Sequence, residues 1–124
     1  MRTVILSLIG ISLSYGYRLS VCTDSPPSSA SIITIANSVN FLRKYNIETI
    51  DVSLYKKSKA DHYNVNTKVM CSGGFRTSAN GKGNTLKEAC DISRKTVIRY
   101  LRNKREHMPR DKLLNQCYLI NDLR

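Results

Sequence analysis

Read as a string of apolar and polar positions, the chain changes period three times. From Ser31 the apolar residues Ile32, Ile35, Ala36, Val39 and Leu42 recur at helical spacing, which predicts an amphipathic helix over "SIITIANSVNFLRKY" with Arg43 and Lys44 near its C-terminal end. Alternation follows. Ile50, Val52 and Leu54 share one face of a strand, and Tyr63, Val65, Thr67, Val69 and Cys71 share one face of a second, joined through the polar stretch "KKSKAD" as a hairpin. "SGG" then turns the chain into a shorter third strand, Phe75 to Ala79. Period 3.6 returns after "NGKGN": Thr85 and Glu88 form a capping box, and Leu86, Ala89, Cys90, Ser93, Val97, Tyr100 and Leu101 form a stripe. Pro109 opens a last helical candidate, "PRDKLLNQCYLINDL", with Leu113, Leu114 and Cys117 on its apolar side.

The expected architecture is therefore α+β: a small antiparallel sheet of about three strands, two main helices on one face in α-β-β-β-α order, and a C-terminal helix. At 124 residues there is room for one such domain. The ends are read separately. The first segment has one early Arg, an apolar run from Val4 to Leu13 and small residues near Gly16, the layout of a signal peptide cleaved near Gly16–Tyr17. That divides the chain into a signal peptide (1–16), an extended Pro/Ser-containing arm (17–30) and a single domain (31–124), and it predicts a secreted, extracellular protein with no transmembrane segment after cleavage.

Cysteine usage is consistent with export. Four cysteines, Cys22, Cys71, Cys90 and Cys117, lie at spacings of 49, 19 and 27 residues, without the local pairs of a zinc site. An even number in a short exported chain reads as two disulfides, in three possible pairings. Because Cys71 falls on the buried face of its strand and Cys90 on the buried stripe of its helix, a sheet-to-helix bond is geometrically reasonable, which leaves Cys22 and Cys117 to tie the ends. Nothing in the sequence calls for a metal or a cofactor.

Charge adds a partner class. The formal net charge is +11, and from Phe75 to Lys112 eleven Lys/Arg face four acids. Such a balance suits anionic surfaces or phosphates. The best single phosphate pocket is the start of the second long helix, where the amides near Gly83 adjoin Lys82 and Lys87, with Arg94 and Lys95 further along and His62 in the strand-connecting loop. A Walker-type loop is excluded, because Arg76 stands where its first glycine is required and Gly83 where its Ser/Thr is required. For catalysis, His62, His107 and Glu48 are the acid–base candidates, and nothing in their spacing makes them converge, so the chain is read as a non-enzyme.

Two family resemblances follow from these motifs. The helix–strands–helix order with "GKGNTLKEAC" and "VIRYL" resembles a double-stranded-RNA-binding domain over residues 33–101. That implies contacts to duplex RNA from Lys82, Lys87 and His62. Gly81, Gly83, Lys87 and Ala89 match, but Leu86 and Cys90 stand where that family has lysines; four apart, they share one helix face, which then faces protein rather than phosphate. The strand cysteine of "KVMC", the helix carrying Thr85, Ala89 and Cys90, and the later "LLNQC" resemble small secreted cysteine-containing fungal proteins of effector or killer-toxin type over residues 17–120. This second resemblance implies a disulfide-stabilised α/β sandwich that binds a host or target-cell protein or an anionic surface outside the producing cell. The function expected first is thus a secreted cationic effector or toxin; a divergent duplex-RNA-binding module comes second and a secreted ribonuclease-like protein third.

Overall fold

A computed structural model describes residues 2–6, 17–24, 26–56, 62–108 and 116–120. It contains β1 (Arg2–Leu6), β2 (Arg18–Thr23), α1 (Ser29–Val39), β3 (Ile47–Lys56), β4 (Tyr63–Cys71), β5 (Arg76–Gly83), α2 (Leu86–Arg102) and β6 (Gln116–Ile120). The six strands form one sheet in the order β1-β6-β2-β3-β4-β5. β3, β4 and β5 are an antiparallel meander, whereas β2 runs parallel to β3 and β1 parallel to β6. β2, α1 and β3 thus make a β-α-β unit, the connection that parallel neighbours require.

The strand faces explain the packing. Leu19, Ile50, Val69 and Thr77 form one cross-strand row, Val21, Val52, Thr67 and Ala79 the next, and all eight are buried. Ile32, Ile35, Ala36 and Val39 of α1 and Ala89, Cys90, Ser93 and Val97 of α2 are buried in the same core, so both helices cover this face. Residues of opposite parity, among them Arg18, Asp51, Lys68, Arg76, Asn80 and Lys82, lie on the other face of the sheet.

Local chemistry fixes the helix ends. Ser28 caps α1 through its Oγ, which accepts from the Ser31 amide at 3.1 Å. The run to Tyr45 is not one helix: α1 ends at Val39 and Asn40–Tyr45 tightens into a 3-10 turn that buries Leu42. Asn46, at φ 57°, then stops it in the left-handed conformation that Asn tolerates better than most residues. Thr85 caps α2, its Oγ1 accepting from the Glu88 amide at 3.1 Å.

Several sequence expectations are corrected here. The sheet has six strands and mixed direction, not about three antiparallel ones. The missed strands lie at the ends: β2 occupies residues read as an arm, β1 lies inside the stretch read as a signal peptide, and β6 falls in "QCYLI", read as part of a C-terminal helix. The rest of that helical candidate, from Pro109 to Asn115, and the apolar stretch 7–16 lie outside the described residues. "NGKG" is also not a free turn. Gly81 and Gly83 are the end of β5, and a methyl group on Gly81 would overlap the backbone of Ala89 and Ser93, so these glycines let α2 lie directly on the strand.

Of the two disulfides expected, the one tying the ends forms and the sheet-to-helix one does not. Cys22 and Cys117 sit directly opposite each other on β2 and β6 and are bonded. Cys71 and Cys90 are free thiols. The register shows why: the helix residue next to Cys90, Ala89, packs on Gly81, which pairs with Val65, and Cys71 is six residues further along β4, about 20 Å away at strand rise. Burial, reinforced by the nearby Asp91 carboxylate and only partly offset by Arg94, pushes the Cys90 thiol up to about 12. Alkylation of native protein followed by mass spectrometry should therefore modify Cys71 and leave Cys90 untouched, with Cys90 reacting only after denaturation; equal native labelling of both would contradict this burial.

Candidate functional site

Exposed positive charge lies on both layers and is densest on the helix layer. On α2 and the turn after it, Lys87, Lys95, Arg99, Arg102, Lys104 and Arg105 are exposed, and Arg43 and Lys44 are exposed on the 3-10 turn beside them. Lys95, Arg99 and Arg102 follow one another at i, i+4 and i+7, so they form a ridge on the outer side of the helix. The acids of this layer are few. Glu88 and Glu106 are exposed, and Asp91 is already committed. Its Oδ2 accepts from Lys87 Nζ at 2.8 Å, and its Oδ1 accepts from Arg94 Nη2 and from Ser38 Oγ of α1, each at 3.2 Å. Partial burial works against ionisation there, but the hydrogen bonds from Lys87, Arg94 and Ser38 outweigh it and hold the Asp91 carboxyl below the usual range.

Beneath this surface the helix layer is pinned by buried polar contacts. Ser93 Oγ donates to the Ala79 carbonyl at 2.7 Å and lies 2.8 Å from Thr67 Oγ1, tying α2 to β4 and β5. The chain after α2 returns to the sheet edge at His107, whose carbonyl accepts from the Ser78 amide at 2.7 Å and whose Nδ1 is 2.8 Å from the Ser78 carbonyl oxygen, while its ring packs on Tyr100. His107 is thus a tether for the basic turn, not the solvated connection that "KREHMPRD" suggests.

The residues singled out in the sequence are not brought together. Lys82 lies on the sheet face away from the helices, Gly83 is buried against α2, Lys87 is tied to Asp91, Arg94 is nearly enclosed between the helices, and Lys95 is exposed on the ridge. A phosphate pocket built from Lys82 and Lys87 at the start of α2 therefore does not form. The acid–base candidates are dispersed too. Glu48 is at the beginning of β3 and His62 just before β4, so the hairpin register puts them at opposite ends, about 25 Å apart, and His107 is at the β5 edge. What sequence reasoning missed is the concentration on one layer, and the i, i+4, i+7 spacing of Lys95, Arg99 and Arg102 was its available signal.

The polar face of the sheet is cationic too, with Arg18, Arg76 and Lys82 exposed on it. Asp51 stands opposite Lys68, and burial raises its carboxyl while Lys68 lowers it. A raised folded-state value means the unfolded chain releases this proton more readily. The contribution to stability is therefore present at low pH and lost as pH rises through the folded value. Asp51→Asn should accordingly raise the melting temperature near neutral pH and change it little at about pH 3; a lower melting temperature at neutral pH would refute the assignment.

Comparison with solved structures now bears on this arrangement. The fold is similar to that of two solved structures. A ribosomal subunit interface protein from Coxiella burnetii superposes with a TM-score of 0.59 at 12% identity, covering 70% of this chain and 94% of that one. The N-terminal domain of Protein Y from Thermus thermophilus superposes with a TM-score of 0.57 at 15% identity, covering 73% and 98%. No family model matches, and no curated protein matches by sequence.

These findings overturn the earlier resemblances and what followed from them. A double-stranded-RNA-binding order begins at a helix, whereas here β2 precedes α1 and pairs in parallel with β3. The effector or toxin reading, the duplex-RNA module and the secreted ribonuclease are replaced by the ribosomal-interface likeness, and the host-protein and duplex-RNA partners go with them. The extracellular reading is corrected on the same ground and because Arg2–Leu6 belongs to the sheet. Among the described residues no helix is long and apolar enough to cross a membrane.

Proposed function

We propose that this protein docks on the ribosome, presenting its helix layer to ribosomal RNA and acting by binding rather than by catalysis. The observation that carries the reading is the outward ridge of Lys95, Arg99 and Arg102, extended by Lys104, Arg105, Arg43 and Lys44, on a fold shared with proteins of the ribosomal subunit interface. Phosphates of a folded RNA meet such a layer without any base-specific contact, and each contact releases about one counterion. Helices seated on a sheet hold the cations in fixed relative positions, so less ordering is needed on docking. In this reading the protein works where ribosomes are, in the cytoplasm, and the Cys22–Cys117 bond serves the sheet rather than a life outside the cell.

Sedimentation through sucrose gradients with purified bacterial ribosomal subunits tests the proposal. The protein should travel with a subunit at low salt and be released as salt rises. Protein that stays at the top of the gradient at low salt would refute it.

A further inference from the structure

Phe41 is 62% exposed in the middle of the cationic layer, next to the fully buried Leu42. A lone exposed apolar side chain is ordinary; the setting of this one is not. The Arg94 guanidinium lies over the ring, with Cζ 4.4 Å from its centroid. Arg94 is itself held in place before anything binds: its side chain is 11% exposed, its Nη2 is bonded to Asp91, and Asp91 is in turn fixed by Ser38 across the helix pair. One face of the ring is thus covered by a clamped cation.

Phe41 also lines two clefts. One, of about 210 Å³, lies between α1 and α2 and contains Arg94, Asp91 and Lys87. The other, of about 350 Å³, is lined by Asn40, Phe41, Arg43 and Lys44. We propose that Phe41 is a stacking platform for one unpaired nucleobase of RNA, seated in the second cleft with its phosphates on Arg43 and Lys44. Every base has a π face, so stacking on the ring needs no particular sequence. The Asn40 amide offers one donor group and one acceptor to whichever base edge arrives. An apolar protein partner fits poorly, because the exposed cations Arg43 and Lys44 would be buried under it. Duplex RNA fits poorly too, since its bases are stacked on each other. The inference rests on the reading of this chain as an RNA-contacting protein.

The chain contains no tryptophan, so Phe41→Trp installs a single fluorescent reporter. The probes are a short single-stranded oligouridylate, the same strand annealed to oligoadenylate, and inorganic polyphosphate as a pure anion. The single strand alone should quench the introduced tryptophan. Phe41→Ala should bind the oligouridylate about tenfold more weakly than the parent, with an unchanged thermal melt, and Phe41→Tyr should bind as the parent does. Quenching by polyphosphate to the same extent, no quenching at all, or parental affinity in Phe41→Ala would overturn the platform. The ribosome reading fails separately: a parent that sediments with subunits while the reporter stays unquenched refutes the platform alone, and a parent that does not sediment while the reporter is quenched refutes only the ribosomal partner.

Discussion

Gly81→Val is expected to cost at least about 3 kcal/mol, enough to leave a domain of ordinary stability largely unfolded under mild denaturant. The new side chain would enter space held by the Ala89 carbonyl and the Ser93 amide, which are helix backbone and cannot yield by changing rotamer. It would also push away Ser93, whose hydroxyl satisfies the Ala79 carbonyl inside the core. Gly83→Ala should be milder, because two of the three atoms it meets belong to the exposed Glu88 side chain and none comes closer than 2.8 Å. Urea titration of the two variants measures both. A Gly81→Val protein within about 1 kcal/mol of the parent would mean that α2 does not lie on β5 as described.

The second large effect concerns binding. Lys95→Glu/Arg99→Glu/Arg102→Glu is expected to lower affinity for ribosomal subunits at least about a hundredfold and to reduce the salt dependence by roughly two to three counterions. All three side chains are exposed, so the core should be unaffected. Arg99 and Arg102 do stand in the last turn of α2, where a cation favours the helix dipole, and reversing each costs roughly 0.3–1 kcal/mol. A thermal melt of the triple variant separates that modest loss of stability from the loss of binding.

The middle of the chain was readable from its own pattern because its elements are amphipathic in the simple sense. The alternation in β3 and β4 and the stripe from Leu86 to Leu101 each report one buried face. The ends were not, for a physical reason. β2, "RLSVCT", is a short parallel strand whose partner lies beyond a whole helix, and its alternation is hidden behind the adjoining Pro/Ser stretch. β1 is an apolar run next to the N-terminus, where hydropathy alone does not distinguish a strand from an export signal. β6 pairs only with β1 and β2, so its place depends on contacts more than ninety residues away.

The candidate site was legible in composition and not in place. The excess of Lys and Arg after Phe75 was plain, but assigning it to a phosphate pocket at the start of α2 required Lys82 and Lys87 to converge, and the strand parity of β5 sends Lys82 to the far side of the sheet. Glycines before a helix suggest an anion-binding turn. Here they are the price of close packing between α2 and β5, a distinction that needs the helix backbone in view. Cys71 and Cys90 failed as a pair for a related reason, since facing one core is not the same as lying at one level along it.

In the proposed function the helix layer, not the protein's overall charge, meets the ribosome. The most direct measurement is sedimentation with bacterial ribosomal subunits of two charge-matched variants: Lys95→Glu/Arg99→Glu/Arg102→Glu on the helix layer and Arg18→Glu/Arg76→Glu/Lys82→Glu on the opposite face of the sheet, all six positions being exposed. The helix-layer variant should stay at the top of the gradient while the sheet-face variant travels with a subunit as the parent does. Equal loss in both, or loss only in the sheet-face variant, would contradict it.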